Sequence, residues 1–184
     1  MALTESRPIE LQGKAPDFNL PGTDGKSYSL SSFSDAKILV VIFSCNHCPY
    51  AKAAWPLLIG LAYEFGDQNV AFVAINPNDE IQYPEDSFEM MKQKVNDWRI
   101  NFPYLRDESQ IVARAYGALC TPDLFVYDKS RKLYYHGRIN DSWQDKDKVT
   151  QEDLKDALEA LLAGKPPPSD QKPSMGCSIK WKEN

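Results

Sequence analysis

The chain has 184 residues, 42% of them hydrophobic, 11% aromatic and 26% charged, with a formal net charge of -5. That length supports one domain whose core is large enough to fold without disulfide staples, and the negative balance excludes the basic surface that nucleic acid requires. The N-terminus lacks a basic segment followed by an apolar stretch, and no apolar run reaches the length of a bilayer span. The expectation is a soluble, cytoplasmic protein with neither membrane nor nucleic acid as partner.

Ala15-Pro16-Asp17-Phe18-Asn19-Leu20 leads into the Gly- and Asp-punctuated segment from Pro21 to Lys26, which predicts a short hairpin ahead of the main sheet. Lys37 to Phe43 is apolar without alternation and rich in β-branched residues, as expected of a strand buried on both faces. From Pro49 to about Phe65, Ala53, Leu57, Leu58, Leu61, Ala62 and Phe65 recur at helical spacing. Pro49 suits the first turn, Pro56 is expected to kink the interior, and Gly66 to end the helix. Val70 to Ile75 is a second apolar strand a short link later. The three segments form a βαβ unit with parallel strands, hence an α/β class.

Asn76-Pro77-Asn78-Asp79 opens an insertion in which Phe88, Met91, Val95 and Trp98 mark an amphipathic helix. Phe102 to Leu105 is expected as a short strand, and Asp107 as the cap of a helix from Glu108 to Tyr116 that stops at Gly117. Leu124 to Tyr127 and Leu133 to His136 flank the turn Asp128-Lys129-Ser130 and predict an antiparallel hairpin. Thr150-x-x-Asp153 is expected to cap a last helix striped by Leu154, Ala157, Leu158, Leu161 and Leu162. Pro166-Pro167-Pro168 forbids its continuation. The division is thus a domain over 1–165 and a Pro-rich tail over 166–184 that carries Cys177, Ile179 and Trp181.

Cys45-Asn46-His47-Cys48 lies where the first apolar strand gives way to the first helix. Unpaired N–H groups and the positive end of a helix dipole favour a thiolate, the form that attacks disulfides and peroxides. A zinc site would need two more ligands at suitable spacing, yet there is no second C-x-x-C and His136 stands alone in the sequence. No resident metal or cofactor is expected, and four cysteines in a reducing compartment point to catalysis or redox sensing rather than structural bridges. Cys45, at the strand end, is expected to be exposed and to act as nucleophile, with Cys48 the shielded resolving thiol. Their cycle runs through a mixed disulfide to a Cys45–Cys48 disulfide. His47 is either a neighbour that lowers the thiol pKa or an exposed helix-start residue. Arg138 is either a charge near the site or a surface arginine.

With the order strand, C-x-x-C, helix, strand, helix, then Thr121-Pro122 before a hairpin and a final helix, the chain resembles the thioredoxin fold. The Ala-Pro-Asp-Phe opening and the segment from Tyr116-Gly117-Ala118 to Pro122-Asp123 resemble the redoxin branch. Cys45-Asn46-His47-Cys48-Pro49-Tyr50, Tyr83-Pro84-Glu85-Asp86-Ser87-Phe88 and Gly176-Cys177-Ser178-Ile179-Lys180-Trp181 are similar to bacterial peroxiredoxin-like, thioredoxin-family proteins. The resemblance implies a central mixed sheet flanked by helices, with an N-terminal hairpin extension, a helical insertion and a C-terminal tail. It also implies a cis proline at Pro122, after Thr121, lying against the C-x-x-C, where neighbouring backbone helps bind substrate disulfides.

Cys120 would then lie close to the dithiol, as a second resolving thiol or as a small buried residue. Cys177 has enough chain behind it to return across the domain, either as an internal substrate or as packing. Two departures stand out. Thioredoxins carry a buried carboxylate where this chain has Leu39, and peroxiredoxins carry Pro and a hydroxyl residue where it has Ile38 and Ile42. The expected activity is thiol–disulfide exchange on a protein or small-molecule disulfide, with weak thiol peroxidase activity as one alternative. A Cu(I)- or Zn(II)-binding module is the other.

Overall fold

The computed structural model describes residues 3–183. In chain order its strands and helices are β1 (Leu3–Glu5), β2 (Asn19–Pro21), β3 (Ser27–Ser29), β4 (Ile38–Phe43), α1 (Pro49–Phe65), β5 (Val70–Asn76), α2 (Phe88–Trp98), β6 (Tyr104–Arg106), α3 (Ile111–Tyr116), β7 (Cys120–Thr121), β8 (Asp123–Tyr127), β9 (Leu133–His136), α4 (Asp153–Leu162) and β10 (Met175–Ser178).

All six residues of β4 are buried, and the reason is a layer on each side of a five-stranded sheet ordered β6-β5-β4-β8-β9. Alternate side chains point to opposite faces. Ile38, Val40 and Ile42 join a core with Trp55 and Leu58 of α1, Met91 of α2 and Leu154 and Leu158 of α4. Leu39, Val41 and Phe43 join a second core with Val112 and Tyr116 of α3 and with Phe18 and Leu20 near the N-terminus. The sheet is mixed: β5 and β6 continue parallel from β4, while β8 and β9 run antiparallel on the other side. The β2–β3 hairpin forms where the Gly and Asp punctuation places it. α1 runs on through Pro56 as one helix.

Three local expectations are corrected. The helix placed from Glu108 begins only at Ile111, after Gln110 at φ 62. Asp107 caps it from four residues before Ile111, its carboxylate accepting from the Ala113 amide in the first turn at 2.8 Å and from the Ser109 hydroxyl at 3.2 Å. The strand placed from Phe102 begins at Tyr104, Phe102 packing instead against Phe72 and Trp55. Thr150 does not cap α4. Its hydroxyl donates to Asp141, while Asp153 accepts from Arg138 Nε at 2.8 Å.

The tail returns across the domain and becomes the middle strand of a second sheet, β1-β10-β7, antiparallel throughout. Register sets Cys177 opposite Thr121 on one side and Leu3 on the other. Beyond β10 the Lys180 amide donates to Asn78 Oδ1 at 2.9 Å, Gln110 Nε2 donates to the Lys180 carbonyl at 2.8 Å, and the Arg114 guanidinium lies 4.3 Å over the Trp181 ring. Gly176 is required by this approach, since a Cβ there would stand 2.1 Å from the Thr121 carbonyl oxygen.

Candidate active site

β4 ends at Phe43, the Ser44 amide donates to the Ile75 carbonyl at 2.9 Å, and α1 starts at Pro49, so the Cys45–Cys48 turn is anchored at both ends. The Trp55 indole donates to the Cys45 carbonyl at 3.3 Å, and the Tyr104 hydroxyl to Asn46 Oδ1 at 3.1 Å. Cys48 is the residue immediately before the helix, in extended conformation, and Pro49 occupies the first helical position, where its missing N–H costs nothing.

The Thr121–Pro122 peptide bond is cis, and Thr121 holds both thiols: its hydroxyl lies 3.3 Å from Cys45 Sγ and its carbonyl oxygen 3.2 Å from Cys48 Sγ. Cys45 and Cys48 are both 0% exposed and Cys177 is 3% exposed, and the three sulfur residues pack in one cluster with Ala51 and Tyr50. The exposed Cys45 expected from the sequence is therefore corrected. The tail strand lies over the dithiol and buries it. Cys120 points the other way, its thiol near the Pro122 and Ser174 carbonyls, as the alternation of a strand requires. Burial, with the nearby charges of Asp123, Cys48 and Cys177, raises its pKa far above the ordinary thiol value.

The two active-site thiols are not equivalent. Burial is the largest influence on Cys45, and with the Cys48 hydrogen bond and the Asp86 charge it raises the Cys45 pKa well above its ordinary value. Cys48 goes the other way, to about 5, because a hydrogen bond from the Cys45 thiol outweighs burial, helped by the Cys177 thiol and by the Ala51 and Cys177 amides. The Thr121 carbonyl, 3.2 Å away, is the acceptor facing Cys48 Sγ.

Sequence reasoning missed the residue that organises the opposite flank. Asp86, wholly buried, accepts from the Asn46 amide at 2.6 Å and from Asn78 Nδ2 at 2.8 Å, and its Oδ2 meets His47 Nδ1 at 2.5 Å. Burial pushes the Asp86 carboxyl up, but the bonds from His47, Asn78 and Asn46 outweigh it and leave the pKa below its ordinary value. His47 is buried rather than exposed, stacked on Tyr83 with ring centroids 5.0 Å apart, and its Nε2 has no partner among the described residues. A buried carboxylate therefore does flank the C-x-x-C, from the insertion rather than from position 39, and a hydroxyl does lie beside Cys45, from Thr121 rather than from position 42. Only the run from Tyr83 to Phe88 hinted at the first.

Arg138 is engaged by Asp153 and, through Nη2, by Gln151 at 3.2 Å. It lines a cavity of about 260 Å³ with Tyr50, Leu57, Pro122, Trp143 and Met175 rather than meeting the sulfur atoms. His136, solitary in the sequence, pairs through Nε2 with Asp123 Oδ1 at 2.8 Å, both buried. Cys45, His47 and Asp86 each bring one ligand atom within 4.8 Å of the others. Both Asp86 oxygens are already taken by donors, so a metal held by Asp86 would have to displace one of those buried hydrogen bonds.

Residues 11–136 match the family model described as the AhpC/TSA family. No curated protein matches the chain. An uncharacterized conserved protein from Geobacillus kaustophilus is 45% identical with a TM-score of 0.95, the match covering 100% of this chain and 98% of that one. A hypothetical protein from Sinorhizobium meliloti is 42% identical with a TM-score of 0.94, covering 98% and 100%. A Chlorobium tepidum structure whose description proposes a thiol:disulfide interchange protein DsbE is 21% identical with a TM-score of 0.68, covering 84% and 99%. The last likeness is one of fold, and that fold is thioredoxin-like.

Proposed function

The chain belongs to the AhpC/TSA family, and from that premise we propose that it is a thiol–disulfide oxidoreductase acting through Cys45 and Cys48. The observation that carries the reading is the placement of both sulfurs at the start of α1 against one residue, Thr121, beside the cis Pro122. We take the shared proton of the pair to rest on Cys45, in line with the raised Cys45 and lowered Cys48 pKa. Transfer of that proton along the Cys45–Cys48 hydrogen bond makes Cys45 the thiolate. Its attack on a substrate disulfide forms a mixed disulfide and releases one substrate thiolate, which takes up the proton now on Cys48. Cys48 then attacks Cys45 Sγ, forms the Cys45–Cys48 disulfide and releases the second substrate thiolate.

Both sulfurs are sealed in the resting structure, so substrate gains access when β10 lifts from β7, a ladder of only two residue pairs. The substrate class is a protein or small-molecule disulfide. A reducing compartment such as the cytoplasm suits an exchange dithiol that has to be returned to its reduced form. Reduction of insulin in the presence of dithiothreitol tests the reading: wild type accelerates it, Cys45→Ser abolishes the acceleration, and Cys48→Ser accumulates a mixed disulfide at Cys45. Full turnover by Cys45→Ser would refute the assignment. The Thr121 hydroxyl, 3.3 Å from Cys45 Sγ, favours a second reading, weak thiol-dependent peroxide reduction. Its signature is peroxide consumption that Thr121→Val reduces while leaving disulfide exchange the larger activity.

A further inference from the structure

We propose that Cys177 is a third redox-active thiol of the same site, taking over the disulfide from Cys45–Cys48 to form a Cys48–Cys177 bond within the closed molecule. The inference rests on the dithiol reading above, and extends it to a residue at the far end of the chain. Three observations place Cys177 for that step. The register of β10 on β7 sets it directly opposite Thr121, whose carbonyl oxygen is 3.2 Å from Cys48 Sγ. It shares a buried cluster with Cys45, Cys48 and Ala51, and its thiol hydrogen-bonds Cys48. The backbone on either side is held in register, because Gly176 lies so close to Thr121 that no side chain fits, and the Ile179 amide donates to the Leu119 carbonyl at 3.0 Å. Packing alone would be satisfied by any small residue. A thiol seated on one sulfur of an exchanging pair is a reactant.

The step is a thiol–disulfide exchange with no net redox change. Cys177 sulfur attacks Cys48 Sγ of the Cys45–Cys48 disulfide, the Cys48–Cys177 bond forms, the Cys45–Cys48 bond breaks, and the proton leaving Cys177 passes to the Cys45 thiolate. The oxidant is the substrate disulfide that made the first bond. The product has Cys45 reduced again and the tail covalently fastened over α1. Cys120, facing away from the cluster, takes no part.

The test is nonreducing peptide mapping of the full chain after oxidation by one equivalent of glutathione disulfide, followed by alkylation of the remaining thiols. In wild type we expect both Cys45–Cys48 and Cys48–Cys177 peptides, and with the latter an alkylated Cys45. In Cys45→Ser the intramolecular bond is Cys48–Cys177, and in Cys177→Ser it is Cys45–Cys48 alone. Wild type that yields Cys45–Cys48 as its only bond, with Cys45→Ser halted as a glutathione adduct, overturns the role of Cys177 and leaves the dithiol reading standing. Wild type that forms neither bond overturns both. The wild-type map needs no variant to fold.

Discussion

The two larger sheets of the molecule are made in opposite ways. The five-stranded sheet is assembled from long apolar runs, β4 and β5 foremost, each buried by helices that follow or precede it in the chain. The β1-β10-β7 sheet is assembled from a strand at each chain end and a two-residue strand in the middle, with partners far apart in sequence and few apolar side chains. The first sheet holds the stability and positions the dithiol. The second holds little apolar area and sets Cys177 beside the dithiol. On the access route proposed above it is the cover, and a cover has to open where a scaffold has to hold.

Breaking the scaffold gives the largest effect. Leu58→Ala, in the core between α1 and the sheet, is expected to cost about 2–5 kcal/mol, measured by denaturant unfolding, with thiol alkylation rising only as the whole protein unfolds. Asp86→Asn comes next. It leaves the His47 and Asn46 donors imperfectly matched in a buried place, at about 1–3 kcal/mol. It should also remove an acid dependence: with its folded pKa lowered, Asp86 stabilises above the ordinary carboxylate value of 3.8 and loses that contribution as pH falls through the folded value.

Gly176→Ala sharpens the comparison most, because it should separate protection from stability. The added methyl would stand 2.1 Å from the Thr121 carbonyl oxygen, so β10 must leave β7. Alkylation of Cys45 and Cys48 should rise roughly tenfold or more, the change of about 1.4 kcal/mol in a local opening equilibrium, with global unfolding shifted by less than in Leu58→Ala. Equal losses in the two variants would mean that the sheets are one cooperative unit. A separate test concerns the charge on Cys48. Its pKa falls from 9.0 to about 5 on folding, so the stability gap between reduced wild type and Cys48→Ser should widen as pH rises from about 5 towards 9. A gap independent of pH would place the thiolate elsewhere.

The scaffold was legible because its elements declare themselves over short windows. Ile38 to Phe43, the helical spacing from Ala53 to Phe65 and the stripe from Leu154 each carry enough local signal to fix element and layer. Sequence and structure part where one side chain chooses its partner: Thr150 turns to Asp141 instead of capping α4. The site was half legible. Cys45, Cys48 and Thr121-Pro122 could be named, but Asp86 lies 39 residues from His47 and announces itself only as part of a turn before a helix.

What the sequence by itself determined is the dithiol at a strand-to-helix junction, since an apolar run, five residues and a proline-led helix are all contiguous. The tertiary structure alone decided which sulfur holds the charge and what covers it. Those properties depend on donors and strands brought in from Thr121, Asp86 and Cys177, and electrostatics and burial are set by distance in space rather than along the chain.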